Sequence, residues 1–201
     1  MEWKNKIKDE CFADELEEMI IDYIKAGFWP NDEILMECEE YMEDYADGFD
    51  NITREDLLEI IETFRNEYQN MGNQENFLKL KSAFDSLMKQ GIVALHYAGY
   101  TQSDGFDDCN EIAAELHEKG EKLVGCCFYT EQDLGHILHD ESTLLYFSYG
   151  NYFEKPTAEE IGQIIVDELK TVGFCVQWDG NAKTKIAIKN FKWDKYYTEG
   201  E

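Results

Sequence analysis

The residue types best suited to metal chemistry lie in one short segment, Asp133-Leu-Gly-His136-Ile-Leu-His139-Asp140. Residues three apart on a helix share a face, so Asp133, His136 and His139 could converge on one ion. Imidazole nitrogen and carboxylate oxygen suit zinc, or iron with open positions. The His-x-x-His spacing differs from the i, i+4 pair of zinc protease helices, and no glutamate stands where a general base belongs. The alternative is a short surface helix with two solvated histidines, and we predict no cofactor.

A second candidate is an acid–base pair, His96 with Asp104, at the end of a strand-like run and in the loop behind it. Loops at strand ends often carry function. The alternative is a strand histidine that hydrogen-bonds to backbone. No serine has the setting of a nucleophile elbow, and no glycine pattern spells a phosphate-binding loop or a dinucleotide fingerprint.

Two polar pairs at predicted strand ends are candidates for binding, Gln132 with Asp133 and Trp178 with Asp179. Each has a structural alternative. The first pair suits the first turn of a helix, and the second suits a hairpin turn with a packed indole.

The six cysteines show no disulfide framework spacing, which predicts free, mostly buried thiols in a reducing cytoplasm. Cys126 and Cys127 are adjacent within an apolar strand, so their side chains point to opposite faces of the sheet. This favours packing over redox chemistry for both.

Charge is the strongest bulk feature, because 18 Lys and Arg face 44 Asp and Glu, a formal net charge of −26. The segment 9–62 alone holds 20 carboxylates against Lys25 and Arg54. Such a chain is a poor ligand for nucleic acid or anionic membranes, and it attracts basic protein surfaces or cations. Within this segment Glu37, Glu40 and Asp44 are the candidate binding residues. The lysines of 183–195 could instead neutralise part of this charge internally.

No run approaches the ~20 apolar residues of a membrane span, and the first residues lack the apolar core of a signal peptide. We therefore expect a cytoplasmic protein.

The hydrophobic periodicity predicts four N-terminal helices followed by alternating strands and helices. The helices are expected at 12–26, from 31, at 53–68 and at 77–88. Strands are expected at 92–97, 123–129, 143–149, 174–178 and 185–193, with helices at 108–119, 132–139 and 157–172 and a turn-rich loop at 99–107. Capping boxes are expected at Thr53/Asp56 and Thr157/Glu160, and a bulge near Asn190.

This order predicts an α+β fold, in which an N-terminal region of about four helices packs with a mixed, about five-stranded sheet carrying two or three helices. The expected organisation is an acidic helical region at 1–90, an α+β domain at 91–195 and a tail at 196–201, together one compact unit.

Five blocks of the second half resemble an uncharacterised bacterial family, a domain of unknown function. The blocks are Gly91-Ile-Val-Ala94, Phe128-Tyr-Thr-Glu-Gln-Asp133, Leu145-Tyr-Phe-Ser-Tyr-Gly150, Val176-Gln-Trp-Asp-Gly180 and Ile186 to Trp193. The resemblance covers about residues 12 to 195 and implies a single bacterial cytoplasmic unit, but no activity. Many members carry a cysteine-rich loop after the first strand. That loop is Tyr100-Thr-Gln-Ser-Asp-Gly105 here and holds no cysteine, so a metal or redox role of the loop does not transfer.

The favoured function is a non-enzymatic acidic binding protein, of immunity or inhibitor type, that recognises a basic protein partner. The alternative is a small metal-assisted or acid–base hydrolase with its site at the loop edge of the sheet.

Overall fold

The computed structural model describes residues 2–7, 10–44, 51–69 and 72–199, apart from the side chains of Glu2 and Asp44. In this part of the chain seven α-helices and a five-stranded mixed sheet confirm the α+β prediction. None of the described helices is both long and apolar enough to cross a membrane. The chain divides into two compact units. We call Met1–Gln74 with Asp194–Glu201 the helical unit, and Glu75–Trp193 the sheet unit.

The helical unit contains a short 3₁₀ turn and three α-helices. These are α1 (Glu10–Ala26), α2 (Asn31–Asp44) and α3 (Arg54–Tyr68). Each helix buries the apolar stripe that its sequence spacing predicts, and the three stripes form one core. The fully or almost fully buried side chains include Leu16, Ile20, Ile24, Ile34, Leu35, Cys38, Leu57, Ile61 and Phe64. The Thr53/Asp56 capping box at the start of α3 is present.

The last described residues, 194–199, belong to the helical unit. Tyr196 N donates to Gln74 Oε1 at 3.0 Å, and the Arg65 guanidinium lies 5.5 Å from the centre of the Tyr197 ring. Gly27, at φ +75°, ends α1 where a Cβ would lie 2.8 Å from Lys195 O. A glycine is therefore required at this position for both its backbone conformation and its space.

The sheet unit contains four helices and all five strands. Its elements are α4 (Glu75–Lys89), β1 (Ile92–Leu95), α5 (Gln102–Glu118), β2 (Gly125–Phe128), α6 (Glu131–Leu138), β3 (Leu144–Asn151), α7 (Ala158–Thr171), β4 (Val176–Gln177) and β5 (Ile186–Lys189). The strand order is β1-β2-β3-β5-β4, in which β1 and β2 are parallel and the other neighbours antiparallel. The Thr157/Glu160 capping box opens α7 as predicted.

Alternation along β2 separates the two faces of the sheet. Cys126 and Phe128 pack in a cluster with side chains of α5. Cys127 pairs in register with Tyr149, which lies against Gly162 of α7. Adjacent residues of this strand therefore enter different cores.

One local prediction was wrong. The loop expected at 99–107 is helical from Gln102, because Thr101 caps α5 and Gly105 lies inside that helix. Near Asn190, where a bulge was expected, β5 ends at Lys189, Asn190 adopts φ +52°, and Phe191 N donates to Thr143 O at 2.9 Å.

Candidate functional site

Asp133 is held by two sets of contacts at the start of α6. It closes a capping box, in which Thr130 Oγ1 donates to Asp133 Oδ2 at 3.0 Å and Asp133 N donates back at 3.2 Å. Lys185 Nζ lies 2.9 Å from both carboxylate oxygens, and the Asp133 side chain is only 8% exposed. This carboxylate is thus a helix cap and one half of a largely buried ion pair.

The two histidines of the same segment have other environments. His136 is exposed, and its Nδ1 lies 2.7 Å from Glu141 Oε2. His139 follows α6 as its C-cap, where its backbone N–H donates to Gly135 O. Gln132 is exposed on the first turn. Across the described residues no group of three His, Cys, Asp or Glu side chains is placed to hold a metal ion, so these residues are not assembled as one ligand set.

His96 lies within an aromatic cluster of the sheet unit. Its ring stacks on Phe84 with centroids 4.5 Å apart, and its Nδ1 is 3.1 Å from Tyr129 Oη. Burial raises the pKa of Tyr129, so this hydroxyl stays protonated at neutral pH. The Phe77 ring also lies beside His96, with ring centroids 5.2 Å apart. The hydrogen bonds of Asp104 are made with Thr101 instead.

Asp104 is the N3 residue of a capping box at the start of α5. Its Oδ2 accepts from Thr101 N at 2.8 Å and from Thr101 Oγ1 at 2.9 Å. The backbone hydrogen bond from Thr101 lowers the pKa of this carboxyl. Asp104 and Asp133 therefore share one local role, which the Thr-x-x-Asp spacing signals in the sequence.

Asp104→Ala is expected to lower the melting temperature at pH 7, by an amount that shrinks in acid. A carboxyl whose folded-state pKa is depressed stabilises the fold above its ordinary value of about 3.9, and this contribution is lost as pH falls through the lower folded-state pKa. Thermal melts at pH 7, 5, 3.5 and 2.5 measure the difference. Asp107→Ala, one turn further along α5, removes the same charge without a cap. An equal deficit at every pH, or an equal deficit in both variants, contradicts the prediction.

Trp178 and Asp179 are tied into the connection between β4 and β5. Trp178 Nε1 donates to Tyr149 Oη at 3.1 Å, and the indole lies over Gly162, where a Cβ would be 2.7 Å from the ring. Asp179 Oδ1 accepts from Asn181 N at 3.0 Å and from Thr184 Oγ1 at 2.5 Å. Both side chains have intramolecular partners that fix the loop.

Exposed acidic side chains form a regular stripe along α2. Glu33, Glu37 and Glu40 lie on its exposed face at i, i+4 and i+7, the spacing of one helical stripe. Met36 lies between them and is 64% exposed. The predicted residue Asp44 continues this spacing, but its side chain lies outside the described part of the chain. We call Glu33, Met36, Glu37 and Glu40 the α2 face.

The charge of the α2 face is not neutralised within the described structure. Tyr23 Oη donates to Glu37 Oε2 at 3.1 Å, which orients that carboxylate without cancelling its charge. Arg54 pairs with Glu39 instead, and Lys4 and Lys6 pair with Asp14 and Asp56. Among described residues, no Lys or Arg forms an ion pair with a glutamate of this face.

None of the six cysteines forms a disulfide, and four are buried. Burial raises the pKa of Cys127 on the α7 side of the sheet. Cys126, on the other side, belongs to one buried cluster with Cys109 from α5. The sequence analysis did not identify Cys109 as a neighbour of Cys126. Cys109 shares a helical stripe with Ile112, Ala113 and Leu116, and that spacing indicates a residue that faces the core.

Two cavities open at the C-terminal half of α5. One of about 590 Å³ has apolar walls that include Ala113, Leu123, Tyr152 and Phe153. The other, of about 920 Å³, lies between the ends of α4 and α5 and mixes acidic and basic side chains. Neither is lined by the histidines or aspartates that the sequence singled out.

The fold, the acidic side chains and the buried cysteines together define the class of this protein. It is an α+β protein with an acidic helical surface and a mixed sheet that carries buried thiols. The model of a family described as a domain of unknown function (DUF6891) matches residues 9–197. The chain belongs to this family, which confirms the resemblance to an uncharacterised domain family. No curated protein and no solved structure matches the chain.

Proposed function

We propose that this protein is a non-enzymatic binding protein, of immunity or inhibitor type, that recognises a basic protein surface through the α2 face. The observation that carries the proposal is an exposed methionine within a row of glutamates that form no ion pair with a Lys or Arg of the described residues. Met36 offers a flexible, polarizable apolar contact, and the carboxylates around it select a partner with Lys or Arg at its rim.

The α2 face is fixed by the core beneath it. Ile34, Leu35 and Cys38 on the opposite side of α2 are at most 1% exposed and pack against α1 and α3. Tyr23 holds Glu37, and Tyr41 Oη donates to Glu15 at 2.6 Å, so two hydrogen bonds link α1 and α2. A preorganised surface loses less conformational entropy on binding than a mobile one.

Charge supports the same interpretation. The segment 9–62 carries far more negative charge than the magnitude of ~2–8 that keeps a small domain soluble. Like charges at this density repel one another and destabilise the folded unit. A basic partner would relieve that repulsion and would associate rapidly at low ionic strength.

We further infer a bacterial cytoplasmic setting, supported by six cysteines that form no disulfide and by the sequence blocks that resemble a bacterial family. The competing hydrolase hypothesis gains no specific support. In the described structure, the hydrogen bonds and ion pairs of these candidates lead to different groups: His96 to Tyr129, Asp104 to Thr101, Asp133 to Lys185 and His136 to Glu141.

Capture of partners on immobilised protein tests the proposal. The variant E33Q/E37Q/E40Q removes three charges from the α2 face, and E55Q/E59Q/E62Q removes three exposed charges from α3 as a matched control. Lysate of the source cells is applied at 50 and 500 mM NaCl, and retained proteins are identified and then titrated in purified form.

A partner with a basic surface should bind wild type and the α3 variant, and it should bind the α2 variant about tenfold more weakly. High salt should release it. Met36→Ala should weaken binding at both salt concentrations, because an apolar contact is not screened. Equal binding by the α2 and α3 variants, or a retained partner that is acidic, contradicts the proposal.

A further inference from the structure

The apolar cavity of about 590 Å³ lies beside the second half of α5, entirely within the sheet unit. Clefts that hold small organic ligands in proteins measure about 300–1,000 Å³ and are mostly apolar, with a few polar groups that orient the ligand. The volume and the walls of this cavity fit that description. Its shape and its polar groups then indicate which class of ligand it accepts.

One face of α5 forms the floor of the cavity. Asn110, Ala113, Ala114 and His117 line it at positions i, i+3, i+4 and i+7, which share one side of a helix. The two alanines occupy the middle of this stripe, and their short side chains leave space above the helix. Asn110 and His117 lie on either side of them, about 10 Å apart along the helix axis. An occupant therefore meets methyl groups along its length and a hydrogen-bonding side chain at each end.

Aromatic rings form another wall of the same cavity. Tyr152 and Phe153 both line it, and Phe153 is 62% exposed, so much of its ring is open to contact with a ligand. Aromatic rings attract one another in offset-stacked or edge-to-face arrangements. A cavity bounded by alanine methyl groups from one element and by aromatic rings from another favours a flat, unsaturated occupant over a bulky saturated one.

Hydrogen bonds hold the aromatic wall in place. Tyr152 Oη donates to Cys109 O at 3.2 Å, and Tyr152 N donates to Val124 O at 3.0 Å, which ties this residue to α5 and to the segment before β2. Asn151 Nδ2 donates to Phe153 O at 2.6 Å and so fixes the backbone that carries the exposed ring. A site that is formed in advance loses less conformational entropy when a ligand binds.

The charged residues of the cavity oppose each other in sign. Glu121 and Lys122 are adjacent, exposed, and both line it. In the described part of the chain neither forms an ion pair, and the nearby Lys119 pairs with Glu115 instead. The net charge of −26 opposes the approach of an anion, while Lys122 beside the cavity opposes a cation. A neutral ligand meets neither penalty.

Asn110 and His117 supply hydrogen bonds that require no charge on the ligand. A carboxamide carries both donors and an acceptor, and a neutral imidazole carries one of each. Both side chains are exposed, and neither forms a side-chain hydrogen bond within the described residues. They can therefore bond to the edge of a ring system that bears a donor beside an acceptor, such as a primary amide.

We propose that this cavity binds a neutral, planar aromatic molecule whose edge carries hydrogen-bond donors and acceptors. Two fused rings with one polar substituent match the floor of about 10 Å between Asn110 and His117. The ring system lies over the alanine stripe of α5 and contacts Phe153, and its polar edge bonds to Asn110 or His117. This inference is independent of the α2 face, because every residue that lines the cavity belongs to the sheet unit.

Four probes of similar size test the proposal on the wild-type protein. The neutral planar probe is 2-naphthamide, the anion is 2-naphthoate, the cation is 2-naphthylmethylammonium, and the saturated neutral probe is decahydro-2-naphthamide. Each is titrated into isotope-labelled protein, and the NMR shifts of backbone amides around the cavity, from Lys122 to Val124 and at Tyr152, give the Kd.

At these amides 2-naphthamide should bind with a Kd below about 1 mM, an affinity within reach of a ligand of this size. It should bind about tenfold more tightly than each of the other three probes. The proposal is overturned if 2-naphthamide shows no saturable binding there, or if a charged or saturated probe binds as tightly.

Two pairs of variants test where the ligand lies. Ala114→Phe fills the floor and should weaken 2-naphthamide binding about tenfold or more, whereas Ser103→Phe adds the same ring at an exposed position of α5 outside the cavity. Phe153→Ala should weaken binding by about three- to tenfold through the lost ring contact. Its control is Tyr100→Ala, at another aromatic residue that is 57% exposed. Equal affinities within either pair contradict the placement.

Asn110→Leu and His117→Leu test the hydrogen bonds, with 2-methylnaphthalene as a comparison ligand that lacks the amide. One of the two variants should bind 2-naphthamide about fivefold more weakly than wild type, the effect of one lost hydrogen bond. The same variant should bind 2-methylnaphthalene with unchanged affinity, because that ligand makes no such bond. Wild-type affinity of both variants for 2-naphthamide, or an equal loss for both ligands, contradicts the role given to these side chains.

Discussion

Gly105→Ala is expected to destabilise the sheet unit by about 3 kcal/mol, the upper part of the usual range for overpacking a core. The added Cβ would lie 2.3 Å from Phe128 Cε2 and 2.7 Å from the carbonyl oxygen of Ala98. Phe128 is fully buried and the Ala98 oxygen belongs to the backbone, so neither can move aside cheaply. The gain of about 1 kcal/mol in helix propensity is too small to offset this clash.

Gly135→Ala is the matched control, since both glycines are helical and both changes add one methyl group. Nothing lies within 4 Å of a Cβ at Gly135, so this variant should gain up to about 1 kcal/mol from propensity. Chemical denaturation of the two variants and wild type measures both effects. If Gly105→Ala is as stable as Gly135→Ala, then α5 does not approach β2 as closely as described.

The α+β class could be predicted from the sequence because the apolar residues of most helices and strands recur at the spacing of that element. The apolar stripes of α1 and α3 follow helical spacing, and the capping boxes at Thr53 and Thr157 mark helix starts at the expected residues. These signals depend on neighbours within one or two turns. Local propensity and tertiary packing agree at these positions, so periodicity was sufficient.

The start of α5 was missed because tertiary packing outweighs local propensity there. Gly99 and the pair Asp104-Gly105 are typical of a turn, and they favoured a loop. Gly105 is instead a helical residue at the closest approach of α5 to Phe128. The capping signal of Thr101 and Asp104 was present, but the glycine that follows it has its reason in a strand 20 residues further along the chain.

The candidate sites differ in the same way, according to whether their residues lie within one element or far apart in the sequence. The spacing of Glu37 and Glu40 already indicated one exposed face of α2, because that relation lies within one helix. The partner of Asp133 could not be read in this way, since Lys185 is 52 positions away and reaches it only through the fold. The shared buried cluster of Cys109 and Cys126 likewise depends on how a helix packs on a strand, which the pattern of neither element shows by itself.

Lys185→Met is expected to destabilise the sheet unit by about 2 kcal/mol, because it leaves the largely buried Asp133 carboxylate without its cation. Breaking a fully buried pair costs about 3–5 kcal/mol. Lys185 is 33% exposed and Asp133 keeps its hydrogen bonds from Thr130, so water and the helix cap recover part of that loss.

Lys189→Met is the control, as it removes the same charge from an exposed position on β5 and should change stability by less than about 0.5 kcal/mol. Asp133→Asn in the Lys185→Met background removes the stranded charge. The double variant should therefore recover stability relative to Lys185→Met, and a double-mutant cycle gives the coupling free energy of the pair. Denaturant melts that find Lys185→Met and Lys189→Met equally stable, or no coupling to Asp133, would show that the pair contributes nothing to the fold. The expected recovery distinguishes a buried charge that needs its cation from a lysine whose methylene groups merely cover the sheet, because only the first is relieved when the carboxylate becomes an amide.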